Sequence, residues 1–194
     1  MNVLNRINGQ DNLMPSFDYL ANKSRVLYLT EPITTPVATV MMADLACLKQ
    51  KSNLPITIFI SSPGGEMDAG GAIIDAIEDC QNGGISVITV ATGLVASMAS
   101  VILAAGTKGK RYITPRARVL IHQPLVGFQG QATDAQIALN EGLKKKKQLI
   151  QYLSERTGKT EKQVAQDIER DYILDSKESL KYGIVDMIGY PDSI

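Results

Sequence analysis

Only one histidine, His122, occurs in the 194-residue chain, so any imidazole-based chemistry must pass through it. It closes the apolar run Val119-Leu120-Ile121 and is followed by Gln123-Pro124. A histidine at a strand end is by itself most often structural. Ser97 stands where Gly93-Leu94-Val95-Ala96 gives way to an apolar helix, at a strand–turn–helix corner. A helix start offers unpaired N–H groups and partial positive charge to an oxyanion. A serine there can equally be a plain N-cap. The surrounding residues are not the Gly-x-Ser-x-Gly elbow of α/β-hydrolases. Ser62-Pro63-Gly64-Gly65 ends another strand, and its two glycines let backbone N–H groups approach a ligand or simply make a tight turn. No phosphate-loop pattern accompanies them. Glu169-Arg170-Asp171-Tyr172 supplies a carboxylate, Asp171, of the kind that holds an imidazole in one tautomer.

Other chemistries find less support. Cys47 and Cys80 form no Cys-x-x-Cys pair, so neither a disulfide framework nor a zinc site is expected, and each reads as a buried, inert thiol. Lys plus Arg and Asp plus Glu both total 20, a balance that argues against phosphate-backbone binding. Lys144-Lys145-Lys146-Lys147 spread around a helix at about 100° each and cannot make one basic stripe. A solvated or subunit-interface cluster is expected there, with the Lys146 methylenes along the apolar line Leu139, Leu143, Ile150, Leu153. The first residues lack an apolar signal core, and the runs Val95–Ala105 and Val119–Ile121 fall short of the ~20 residues of a membrane span. A cytoplasmic protein without membrane or nucleic-acid partners is the expectation.

These residues need elements to position them. Residues 1–20 carry no periodicity and are read as a mobile segment. Short strands are predicted at Arg25–Leu29, Ile56–Ile60, Ile85–Ala91, Lys110–Ile113, Val119–Ile121 and Ile184–Ile188. Helices are predicted at Thr35–Lys49, with Val40, Leu45 and Leu48 on its apolar face, and at Asp68–Asp79, Ser97–Ala105, Ala135–Leu153, Thr160–Glu169 and Lys177–Tyr182. A Thr92-Gly93 turn is placed before Ser97, and Leu125–Gln131 is read as an extended arm. The alternation implies a single α/β domain.

In this order, Ser62-Pro63-Gly64-Gly65, Gly93-Leu94-Val95-Ala96-Ser97-Met98, His122-Gln123-Pro124, Arg170-Asp171 and Tyr182-Gly183-Ile184-Val185-Asp186 closely resemble the ClpP family of ATP-dependent serine peptidases. The likeness runs from about Ser24 to Ile188. It implies a ClpP/crotonase-like spiral of β-β-α units, one domain over residues 21–194, with a protruding handle of strand plus long helix around residues 125–158. It also implies Ser97 as nucleophile, His122 as general base and then acid, and Asp171 as the orienting carboxylate. Gly65 and Met98 would give the oxyanion-hole amides. A substrate strand would lie between Gly65, Glu66 and Met67 on one side and Pro124, Leu125 and Val126 on the other. The family forms two stacked seven-membered rings. Glu169 and Arg170 would make oligomer contacts, and residues 1–20 would lie at the axial pore. The chain itself would need no cofactor, ATP being used by a partner unfoldase of the AAA type (ClpX, ClpA or ClpC type) that delivers unfolded proteins.

Three departures from the family pattern stand out. Ala99 occupies a position where glycine is usual, and Asn82-Gly83-Gly84 lengthens the interval from Gly65 to Ser97. Of the two positions that often carry aromatics for unfoldase docking, Thr57 and Phe59, only Phe59 is aromatic. Weaker docking by a homomeric ring, offset by a second ClpP paralogue in a mixed particle, is the resulting expectation. Two other readings stay open: a mainly structural or conditionally active subunit, and a crotonase-like acyl-CoA enzyme whose paired amides serve a thioester.

Overall fold

The computed structural model describes residues 2–7, 10–125, 127 and 130–192. Residues Asn2–Ile7 (β1) and Gln10–Pro15 (β2) pair as an antiparallel hairpin. Helix α1 (Ser16–Ser24) follows. Regular elements thus occupy a stretch in which no hydrophobic period is visible.

The main layer is a seven-stranded sheet among the described residues. Its first strand, β3 (Val26–Leu29), leads through α2 (Thr35–Lys51) to β4 (Ile56–Ser62). Helix α3 (Met67–Asn82) leads to β5 (Val87–Ala96), and α4 (Met98–Ala105) to β6 (Arg111–Ile113) and β7 (Arg118–Ile121). The long α5 (Ala132–Thr157), α6 (Glu161–Asp167), β8 (Tyr172–Leu174), α7 (Ser176–Tyr182) and β9 (Met187–Ile188) complete the order. The path β3-β4-β5-β6-β9 is parallel throughout, β7 adds in parallel to β5, and β8 is antiparallel to β7. This order is the α/β architecture expected from the sequence.

Burial explains the helices. Ala38, Met41, Leu45 and Leu48 place one face of α2 inward at three- and four-residue steps, as a 3.6-residue period requires. Val40, predicted on that face, is 60% exposed, and Cys47, expected buried, is exposed too, because both lie off the stripe. Every residue of α4 is buried, as its lack of a polar face demands. Fully burying Ile102 and Leu103 contributes about 1.5–3 kcal/mol each. Strand β5 does not stop at the Thr92-Gly93 turn but continues to Ala96 through an irregular register between Ile60 and Ser62 of β4. That bend carries the chain to Ser97.

Two buried arginines hold the frame. The Arg25 guanidinium donates to the carbonyls of Leu48, Ser52, Leu54 and Pro55, closing the C-terminal end of α2 and the turn after it. Arg111 makes a two-pronged pair with Asp186 (2.6 and 2.8 Å) and donates to the Arg156 carbonyl. Arg156 in turn donates to the carbonyls of Ala104 and Gly106 at the end of α4. No helix among the described residues is long and apolar enough to cross a membrane.

Candidate active site

Sheet register brings the three side chains together. Ala96 is the partner of Leu120 across the parallel β5–β7 pair, and the Ser97 N–H donates to the Leu120 carbonyl at 2.9 Å. Ile121 faces Tyr172 across the antiparallel β7–β8 pair, so one step further along the same ladder Asp171 faces His122. His122 Nε2 lies 2.8 Å from Ser97 Oγ, and His122 Nδ1 lies 3.3 Å from Asp171 Oδ1. The His122 side chain is 20% exposed and the Asp171 carboxylate 67%.

Ser97 is the N-cap of α4, but its hydroxyl makes no capping bond. Its backbone sits at φ 55°, ψ −128°, one of two non-glycine positions with positive φ among the described residues. Such a conformation costs about 1–3 kcal/mol and persists only where its surroundings impose it. Here β5, the α4 start and the Leu120 carbonyl impose it, and the hydroxyl is turned toward His122. The Ser97 carbonyl is engaged by the N–H and Oγ of Ser100 (2.9 and 2.6 Å).

The glycine turn closes on the same corner. At Gly64 (φ +91°) a Cβ would stand 2.6 Å from both the Ala96 carbonyl oxygen and Ser97 Cβ. At Gly65 (φ +154°) it would stand 2.1 Å from the Ile33 carbonyl oxygen. Ile33 N–H donates to the Gly64 carbonyl and Glu66 N–H to the Ile33 carbonyl, so this parallel bridge leaves the Gly65 N–H on the opposite edge. Met98 N–H belongs to the first turn of α4 and has no acceptor within the helix. Among the described residues, two uncommitted amides therefore flank Ser97.

A cleft of about 600 Å³ opens between these walls, lined by Gly64, Gly65, Met67, Ser97, His122 and Leu125 among others. Beneath it a cavity of about 20 Å³ is bordered by Met67, Met98, Val101, Pro124, Leu149 and Leu153. Glu66 lines the cleft, but neither of its backbone groups is free: the N–H goes to Ile33 and the C=O accepts from Gly70 N–H. The Glu66 carboxylate accepts from Thr35 Oγ1 at 2.9 Å. Leu125 is 86% exposed at the cleft mouth. Val126 lies outside the described residues.

The loop that carries Asp171 is tied to the His122 strand end by a residue to which no role was assigned from sequence, Gln123. Its N–H donates to the Ile168 carbonyl (2.7 Å) and its side-chain amide to the Glu169 carbonyl (3.0 Å). From α5, Lys146 Nζ donates to Gln123 Oε1 (2.7 Å) and Glu169 Oε2 (2.9 Å). That hydrogen bond, with the ammonium charge, holds the Glu169 carboxyl below its ordinary pKa. Glu169, expected at an oligomer contact, is thereby paired within its own chain. Lys145 reaches the other wall, pairing with Asp68 at 2.7 Å. These partners lie 23 to 77 residues away in sequence, so no local pattern announces them.

Among the described residues no group of three or more His, Cys, Asp or Glu could hold a metal ion. A serine hydroxyl on an imidazole, with a carboxylate behind and two free amides beside it, is the constellation of a serine hydrolase. The sequence model of the Clp protease family matches residues 10–192. A curated relative from Porphyromonas gingivalis (strain ATCC BAA-308 / W83), "ATP-dependent Clp protease proteolytic subunit", is 45% identical over 165 residues, covering 84% of this chain and 73% of the relative. The chain belongs to the Clp protease family, a family of serine peptidases.

Proposed function

We propose that the chain is the serine endopeptidase subunit of a self-compartmentalised Clp protease, cleaving unfolded polypeptides delivered by an ATP-dependent AAA-type unfoldase and short peptides unaided. The observation that carries this reading is the 2.8 Å contact of His122 Nε2 with Ser97 Oγ beside two uncommitted amides. In the reactive tautomer, Nδ1–H faces Asp171 and Nε2 accepts the Ser97 proton as Oγ attacks the peptide carbonyl. The oxyanion receives the N–H groups of Gly65 and Met98, each worth on the order of 3 kcal/mol to the transition state. His122 then returns the proton to the leaving amine, an acyl-enzyme remains on Ser97, and water repeats the sequence. Positioned proton transfer contributes roughly 10²–10⁴-fold. An extended substrate adds as a strand along Gly65 and Met67 and reads backbone more than side chain.

The assembly reading is two stacked seven-membered rings. Leu139 and Leu143, one turn apart on the N-terminal half of α5, are 48% and 56% exposed in the single chain, an apolar pair suited to ring-to-ring contact. For the unfoldase, Phe59 is not alone: Tyr28 stacks on it at 5.3 Å, and Phe17 and Tyr190 extend the aromatic group. This supports docking on a homomeric ring even with Thr57 in place of an aromatic. The 3.3 Å His122–Asp171 separation is longer than the ~2.7–2.9 Å of a tight charge-assisted bond. It favours, as a second reading, a subunit whose triad tightens only on assembly or beside a second ClpP paralogue.

The test is hydrolysis of a fluorogenic peptide by the assembled protein, with Ser97→Ala as its pair. Cleavage that falls at least ~10³-fold in Ser97→Ala is expected. Absence of cleavage both alone and with a co-expressed paralogue, or cleavage unaffected by Ser97→Ala, would contradict the proposal.

A further inference from the structure

We infer that Lys146 is a positioning residue for the His122–Asp171 pair, coupling the α5 helix to the geometry of the catalytic side chains. The inference rests on the peptidase reading above. Lys146 touches neither Ser97 nor His122. It acts through Gln123, adjacent to His122, and Glu169, two residues before Asp171. Its ammonium has three donors, and two of them converge on these partners at 2.7 and 2.9 Å. Gln123 Nε2 also donates to the Glu169 carbonyl, so Lys146, Gln123 and Glu169 close a ring of bonds around the segment that ends at Asp171.

Among the described residues, no other hydrogen bond or ion pair reaches that segment from α5. Helix α6 ends at Asp167, β8 begins at Tyr172, and the Asp171 carboxylate is largely exposed. The Lys146 side chain is 26% exposed, against 72% for Lys144 two residues earlier. The four consecutive lysines are therefore not equivalent. Lys145 holds the Asp68 wall of the cleft, Lys146 holds the His122–Asp171 wall, and Lys144 pairs loosely with Glu141 at 3.5 Å on the same helix. Two adjacent residues of α5 thus grip opposite sides of the substrate cleft.

The experiment compares Lys146→Met, Lys146→Arg, Glu169→Gln and the double variant Lys146→Met/Glu169→Gln in the assembled particle, reading kcat and KM on a short peptide together with particle mass. Misplacing a catalytic group by a fraction of an ångström to one ångström costs roughly tenfold to a hundredfold, so Lys146→Met should lower kcat by about that factor with KM changed less than about twofold. Lys146→Arg should recover most of it, and the double variant should be no worse than the more damaged single one. Lys144→Met, outside the ring of bonds, should keep the parental kcat. An unchanged kcat in Lys146→Met, a loss seen only in KM, additive losses in the double variant, or an equal loss in Lys144→Met would each overturn the inference. If Lys146→Met does not assemble, Lys146→Gln, which keeps a shorter donor, is the deciding variant: full kcat in its assembled form overturns the inference and a lowered kcat rescued by arginine supports it. Parental protein that cleaves nothing contradicts the peptidase reading instead, so the two failures are distinct.

Discussion

Ser97 has two jobs that compete: starting α4 and presenting a hydroxyl. Its backbone settles the competition, because positive φ takes the side chain away from the cap and toward His122. Gly64 and Gly65 belong to the same problem, since the space a Cβ would need is taken by Ala96, Ser97 and Ile33. Gly64→Ala is expected to lower the acylation rate by at least about tenfold and stability by about 1–3 kcal/mol, the cost of a strained φ and a forced shift. Thermal melting and peptidase rates measured on the same preparation check both halves of that expectation. Ser97 and His122 were legible in sequence because each ends a conspicuous apolar run. The service of Asp171 was less so: Tyr172–Leu174 is too short a strand to show alternation, yet its register aims the carboxylate.

Among the elements, α2 and the sheet edge depend on a guanidinium that no helix-end rule reveals. Arg25 lies 23 to 30 residues from the carbonyls it serves, and burial lowers its pKa without detaching it from them. Arg25→Lys should destabilise by about 2–4 kcal/mol, because one ammonium cannot reach four carbonyls spread along a turn. Urea unfolding measures this directly. The Arg111–Asp186 pair carries a pH signature. Burial pushes the Asp186 carboxyl upward, but the hydrogen bonds and charge of Arg111, with backbone N–H groups of Arg111 and Gly109, outweigh it and leave the pKa lowered. A lowered folded pKa means stability that is present above the unfolded carboxylate value near ~4 and lost as pH falls through the folded one. Asp186→Asn should therefore cost about 3 kcal/mol at neutral pH by stranding a buried guanidinium, with a smaller gap from the parent in melts near pH 3.

For the whole molecule, the balanced charge and the exposed apolar side chains on α5 point the same way: surface left over by one chain is covered by another. If the assembly is the proposed pair of stacked rings, Leu143→Asp is expected to split it into single rings, seen as a halved mass in solution, while the fold of the subunit is retained. Periodicity and turn chemistry made the α/β order readable, since most strands and helices bury themselves on local pattern. What stayed unreadable was contact between distant segments: the Lys145–Asp68 and Lys146–Gln123–Glu169 bonds across the cleft, and the stacking of Tyr28 on Phe59. Neither charge runs nor aromatic counts reveal such pairings, because they are set by how strands add to the sheet.

The proposed peptidase activity requires Ser97 to be a nucleophile activated by His122. A fluorophosphonate probe, followed by peptide mass spectrometry, tests it most directly. Modification is expected on Ser97 alone, absent in Ser97→Ala and slowed by at least about 10²-fold in His122→Ala. Equal labelling in His122→Ala, or modification of a different serine, would contradict it.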